Sequence, residues 1–96
     1  MSYQLLDGEK INGENPDTYF IPMLEDRQNL NVQDYAQVTF NGDLPERMWI
    51  KINKIIENGY QGILDNNPIG LKNVKYGDMI IFNYSNIIKI LRSNEL

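Results

Sequence analysis

Met48-Trp49-Ile50-Lys51-Ile52-Asn53 runs through Lys54-Ile55-Ile56-Glu57-Asn58-Gly59 into Tyr60-Gln61-Gly62-Ile63-Leu64, and this stretch decides the fold. Its first part alternates at a period of two, with Met48, Ile50 and Ile52 on one face and Trp49, Lys51 and Asn53 on the other. Asn58-Gly59 is a strong hairpin signal because both residues tolerate positive φ, so Tyr60 to Leu64 is expected to return antiparallel. Gly62, inside that returning strand, points to a bulge or to the close approach of a bulky neighbour.

Upstream, Tyr35 to Phe40 has the same period: Ala36, Val38 and Phe40 face one way, Tyr35, Gln37 and Thr39 the other. Asn41-Gly42-Asp43 supplies the turn between this strand and the Met48 strand. Further back, Pro22 suits the first turn of a short helix over about Met23 to Asn29, with Glu25 and Asp26 near its positive end. Thr18-Tyr19-Phe20-Ile21 is a β-prone run, and residues 1–15 read as an irregular, partly mobile arm containing Gly8 and Gly13. Downstream, Asp65 to Asp78 is a long polar connection bent by Pro68 and Gly70. It leads to a strand over Met79 to Phe82, a tight helical turn at Tyr84-Ser85-Asn86, and a closing strand over Ile87 to Leu91, favoured over a helix because β-branched Ile dominates it.

These pieces make a mainly β (α+β) domain: a small five-stranded antiparallel SH3-like barrel over 35–92, with a half-open roll as the alternative and one short N-terminal helix within 18–30. The expected core is Val38, Phe40, Met48, Ile50, Ile52, Leu64, Ile81 and Ile90. A chain of 96 residues, 42% hydrophobic and 23% charged, suits one domain over 1–96. The opening Met1 to Asp7 has neither the basic start nor the apolar run of a signal peptide, and no later stretch reads as a membrane span, so a cytoplasmic location is expected.

With no histidine and no cysteine, the chain has no Ser-His-Asp triad, no Cys-His pair, no thiolate or imidazole zinc site and no CxxC pair. Gly59, Gly62, Gly70 and Gly77 never form a compact phosphate-binding pattern. No cofactor and no metal are expected. Acid and base chemistry falls to carboxylates, Lys and Tyr, of which Glu46, Asp65 and Asp78 lie near predicted loops; Asp78, beside Gly77, reads as a turn residue. The net charge of −4 disfavours non-specific nucleic-acid binding. Acidic residues crowd the N-terminal part while Lys51, Lys54, Lys72, Lys75, Lys89 and Arg92 lie in the C-terminal half.

Trp49 has two readings. Alternation sets it on the face opposite Met48 and Ile50, where either the chain covers it as a second small cluster or it anchors a partner. Tyr60 and Tyr76 are expected to join it, with Asn66 and Asn67 in the adjoining loop, as a partner-binding surface. The leading expectation is therefore a non-catalytic protein-binding domain. A small carboxylate-dependent enzyme and a nucleic-acid-binding small barrel are the alternatives, and the oligomeric state stays open.

Met48-Trp49-Ile50-Lys51-Ile52, Gly59 through Pro68, and Gly77-Asp78-Met79-Ile80-Ile81-Phe82 together resemble the small uncharacterised bacterial domains of the YegJ-like type. In these a Met-Trp strand, a Gly-x-Leu-x-Asn-x-Pro turn and a Gly-Asp-x-Val-x-Phe strand recur. The resemblance runs over about residues 46–91, and Asn15 to Pro22 with Glu25 and Arg27 looks like the lead-in of some relatives. Neighbouring families include proteins proposed as immunity factors against bacterial toxins, so the resemblance implies an immunity factor or an inhibitor of another protein. By position it marks Met48, Trp49, Gly62, Leu64, Asn66, Pro68, Gly77, Asp78 and Phe82.

Overall fold

The computed structural model describes residues 3–95. Five strands, β1 (Tyr35–Phe40), β2 (Glu46–Ile56), β3 (Gly59–Leu64), β4 (Met79–Asn83) and β5 (Lys89–Leu91), form one antiparallel sheet in the order β4-β3-β2-β1-β5. Two short helices, α1 (Gly8–Glu14) and α2 (Leu24–Gln28), precede it, and 3-10 turns at Tyr84–Asn86 and Ser93–Glu95 flank β5. None of the described helices is long and apolar enough to cross a membrane.

The β2–β3 hairpin is built as its alternation requires, with Ile50 opposite Leu64 and Ile52 opposite Gly62. The register then shifts between Ile52 and Lys54, leaving Asn53 as the extra residue of a bulge across from Gly62 and Gln61. A Cβ on Gly62 would lie 2.5 Å from the Lys51 carbonyl oxygen, so the glycine permits both the bulge and the close approach. At the turn only Asn58 takes the left-handed conformation, with φ 60°. Gly59 serves another purpose than the expected one: a side chain there would meet the Phe82 carbonyl oxygen at 2.1 Å, so it lets β4 pair closely with β3.

The sheet is not closed, which corrects the SH3-like barrel. The terminal strand forms, but it pairs with β1, at the opposite edge from β4. Three residues of β5 cover only Tyr35 to Gln37. The lead-in continues that edge: the Leu6 N–H donates to the Thr39 carbonyl at 3.0 Å and the Asn41 N–H to the Gln4 carbonyl at 2.8 Å. On the β4 side a side chain stands where a barrel would place a strand. The Tyr3 hydroxyl accepts from the Ile81 N–H at 2.8 Å and donates to the Ile81 carbonyl at 3.1 Å, while its ring packs 5.7 Å from that of Phe40.

The arm expected over 1–15 contains α1, capped by the Asp7 carboxylate, which accepts from the Lys10 N–H at 3.0 Å. The part of that expectation falling on Met1 and Ser2 lies outside the described residues. Gly8 acts here as a contact and not as a breaker: it is buried against Ile88, where a Cβ would come within 2.8 Å of the Ile88 side chain. Thr18 to Ile21 is not a strand. The Tyr19 carbonyl is taken by the Asn12 side chain, Pro22 has no N–H to offer a ladder, and Phe20 is 75% exposed.

Val38, Phe40, Met48, Ile50, Ile52 and Leu64 are buried as expected, joined by Leu30, Tyr60, Val74 and Ile87. Ile90 is partly buried against this core. Ile81 is a correction, being 49% exposed while Ile80 and Phe82 point inward. Met79 to Phe82 is continuously apolar, so its own sequence does not set its sense; pairing of Ile80 with Gly62 and of Phe82 with Tyr60 does.

The helical half is fastened to the sheet by a polar node inside the core. The Tyr60 hydroxyl, on a residue only 1% exposed, donates to the Arg27 carbonyl at 2.7 Å and accepts from the Leu30 N–H at 3.1 Å. Buried Arg27 in turn donates to the Pro22 carbonyl at 2.8 Å, to the Tyr84 carbonyl at 2.8 Å and to the Glu9 carboxylate at 2.6 Å. Replacing Tyr60 with Phe keeps the ring and orphans two buried backbone groups, so Tyr60→Phe should lower folding stability by about 1–3 kcal/mol in urea denaturation.

Buried Asp34 ties the start of β1 to the end of the chain, accepting from the Asn31 N–H and the Ser93 N–H, each at 2.8 Å. Burial raises its pKa, but the Ser93 and Asn31 backbone bonds, the Ser93 side chain and the Arg92 charge together outweigh it and hold the carboxyl below its ordinary value. A depressed folded-state pKa contributes stability that is present above the unfolded pKa of about 4 and is lost as pH falls through the folded value. Denaturation midpoints below about pH 4 should therefore fall more steeply for the wild type than for Asp34→Asn.

Candidate functional site

The face of the sheet turned away from the core carries the odd positions of β1, β2 and β5. Trp49 stands opposite Gln37, which stands opposite Lys89; in the next row Lys51, Tyr35 and Leu91 align. Arg47 faces Thr39 one row further on. Neighbouring strands are about 4.8 Å apart, so these side chains share one compact surface. Tyr35, Trp49 and Leu91, all half-buried, line a notch of about 180 Å³ together with Asp65.

Trp49 is held in place through its backbone. Its N–H donates to the Asn66 side-chain oxygen, and its carbonyl accepts from the Asp65 N–H at 2.9 Å. The 65–78 loop thus starts as a clip on β2. It is fastened again where the Glu46 carboxylate accepts from the N–H groups of Ile69 and Gly70, bonds that hold that carboxyl below its usual range. Val74 is buried in the core, and the Gly77 N–H returns to the Leu64 carbonyl at 2.9 Å.

Electrostatically this face is cationic. Arg47, Lys51 and Lys89 project from it, and the ion pairs among the described residues, Arg27 with Glu9 and Arg92 with Asp26, involve none of them. Two of the cations lie over tyrosines, the Lys51 ammonium 5.9 Å from the Tyr35 ring centre and the Arg47 guanidinium 5.8 Å from that of Tyr19. Burial, and after it the Asp65 charge and a hydrogen bond to Asp65, push the Tyr35 phenol above its ordinary pKa.

Of the residues expected to form the site, Trp49 is on this face and Asn66 touches it directly, with its side-chain oxygen already occupied by the Trp49 N–H. Asn67 is exposed and Tyr76, on the loop, is 58% exposed. Tyr60 is a correction, because it lies on the core face and its hydroxyl belongs to the Arg27 node. Counting back by two from inward Leu64 places Tyr60 inward, a signal already present in the sequence. Tyr35, Gln37, Lys89 and Leu91 were missed. The alternation of β1 set Tyr35 and Gln37 on the outer face, but only the pairing of β1 with both β2 and β5 sets them beside Trp49.

Asp78 is a turn residue, accepting from the Lys75 N–H at 3.0 Å, and Glu46 is a loop clip. Asp65 alone of the three carboxylates faces a concavity, and that concavity is shallow. Removing a half-buried Trp exposes roughly 100 Å² of former contact, worth about 2.5 kcal/mol at 25 cal/mol per Å². Urea denaturation should show that loss for Trp49→Ala and about 1 kcal/mol for Asn66→Ala, which leaves the Trp49 N–H without its acceptor.

No curated protein and no solved structure matches the chain. One family, described as an uncharacterized protein conserved in bacteria (DUF2314), matches residues 19–93. That span takes in β1 to β5, the clipped loop and every residue of the outer face, and the chain belongs to this bacterial family.

Proposed function

We propose that the domain is a non-catalytic protein-binding module whose contact surface is the outer sheet face around Trp49. The observation that carries the reading is the placement of Trp49. A large aromatic side chain is held half-buried on a strand, beside Tyr35 and Leu91 and among cations that form no ion pair with any carboxylate of the described residues. Aromatic anchors of this kind concentrate binding energy because they bury much area with little loss of side-chain freedom. The resemblance to the YegJ-like type directs the reading towards an immunity factor or inhibitor acting in the cytoplasm, with another protein as its target.

The carboxylate-enzyme alternative would draw on Asp65 with Tyr35 in the notch. Both burial and Asp65 hold the Tyr35 phenol protonated, so it is a poor base, and the open notch of about 180 Å³ leaves a substrate largely in water.

Affinity capture from the native host, followed by titration of the identified partner, tests the reading. Trp49→Ser is expected to weaken binding by about 2 kcal/mol or more, whereas Ile69→Ser, at a loop position 96% exposed, should leave it unchanged. Equal affinity of the wild type and Trp49→Ser for every captured protein overturns the assignment.

A further inference from the structure

Beside the notch, and separated from it by Gln37, lies a second cavity of about 240 Å³ whose walls include Thr18, Tyr19, Gln37, Arg47 and Lys89. It holds two cations and no carboxylate. In a chain whose net charge is −4, two neighbouring cations outside any described ion pair form a local reversal of sign. Arg47 and Lys89, with Gln37 between them, thus bring two cationic donor groups to one cavity whose lining contains no carboxylate.

We infer that the outer face takes an acidic segment of a partner protein, with one carboxylate in the Arg47–Lys89 cavity and an apolar side chain in the Trp49–Tyr35–Leu91 notch. This deepens the protein-binding reading and rests on it. Trp49 and Lys89 are two strands apart, about 10 Å, a distance that two or three residues of an extended segment cover at roughly 3.3 Å each. Lys51, beside Tyr35, meets a second acidic residue of that segment. A nucleic acid fits the same surface less well. The faces of Tyr19 and Tyr35 are occupied by Arg47 and Lys51, Asp65 stands in the notch against phosphate, and the overall charge repels a polyanion.

The test is an amide chemical-shift titration of the full chain with acetyl-Leu-Gly-Glu-Glu-amide, its Gln-Gln counterpart and an octathymidylate. The Glu peptide is expected to shift the amides of Gln37, Arg47, Trp49 and Lys89 saturably, at least tenfold more tightly than the Gln peptide. Arg47→Gln with Lys89→Gln should abolish that preference while leaving the thermal melt unchanged. Equal binding of the two peptides, shifts confined to another surface, or tighter and salt-dependent binding of the oligonucleotide overturns the inference. A captured partner that is lost with Trp49→Ser but indifferent to the Arg47→Gln, Lys89→Gln pair overturns it too, leaving the protein-binding reading intact. Indifference of every partner to Trp49→Ser removes that reading itself.

Discussion

One phenol joins the two halves of this molecule. The Tyr60 hydroxyl reaches from the middle of the sheet to the end of α2, taking the Arg27 carbonyl and the Leu30 N–H. Arg27 then spreads that attachment to Pro22, to α1 and to the 3-10 turn before β5. Two helices of seven and five residues are too short to be stable alone, so their geometry comes from what they are tied to. The rings of Phe82 and Tyr84 pack at 5.8 and 5.7 Å from that of Tyr60, which makes the node apolar outside and polar only along one line.

How much of this was legible follows from which signals are local. β1, β2 and β3 could be read because alternation gives each strand a face, and Asn58-Gly59 gives two of them a register. β4 could not be oriented, since four consecutive apolar residues carry no phase. α1 was hidden by Gly8, whose small size answers a distant contact with Ile88, leaving the cap Asp7 and the first-turn Glu9 as its start signals. Thr18 to Ile21 had strand composition, but β5 and the lead-in already occupy the side of β1 not paired with β2. The barrel failed for the same reason: closure depends on where the last strand pairs, and composition is silent on that.

The candidate site divides along the same line. Trp49 and the loop residue Asn66 were legible, one from its phase and the other from its place after a strand. The cationic cavity was not, because Arg47, Gln37 and Lys89 are far apart in sequence and meet only through two strand pairings and the crossing of Tyr19. A chain-wide net charge also conceals a local excess of the opposite sign. Two of the carboxylates are spent on backbone duties, Glu46 on a loop and Asp34 on the last turn, and form no ion pair with Arg47, Lys51 or Lys89.

The Tyr3 hydroxyl on Ile81 has a consequence beyond the fold of a single chain. An open sheet presents free strand edges, and β4 carries exposed Met79 and Ile81 side chains beside its own. Such an edge is a template on which a strand from a second molecule adds, the first step of edge-to-edge aggregation. By occupying both hydrogen-bonding groups of Ile81, at the centre of the strand, one tyrosine interrupts that template and leaves no uninterrupted run for an incoming chain to copy. A single side chain thereby guards the edge of an unclosed sheet where a sixth strand would otherwise lie.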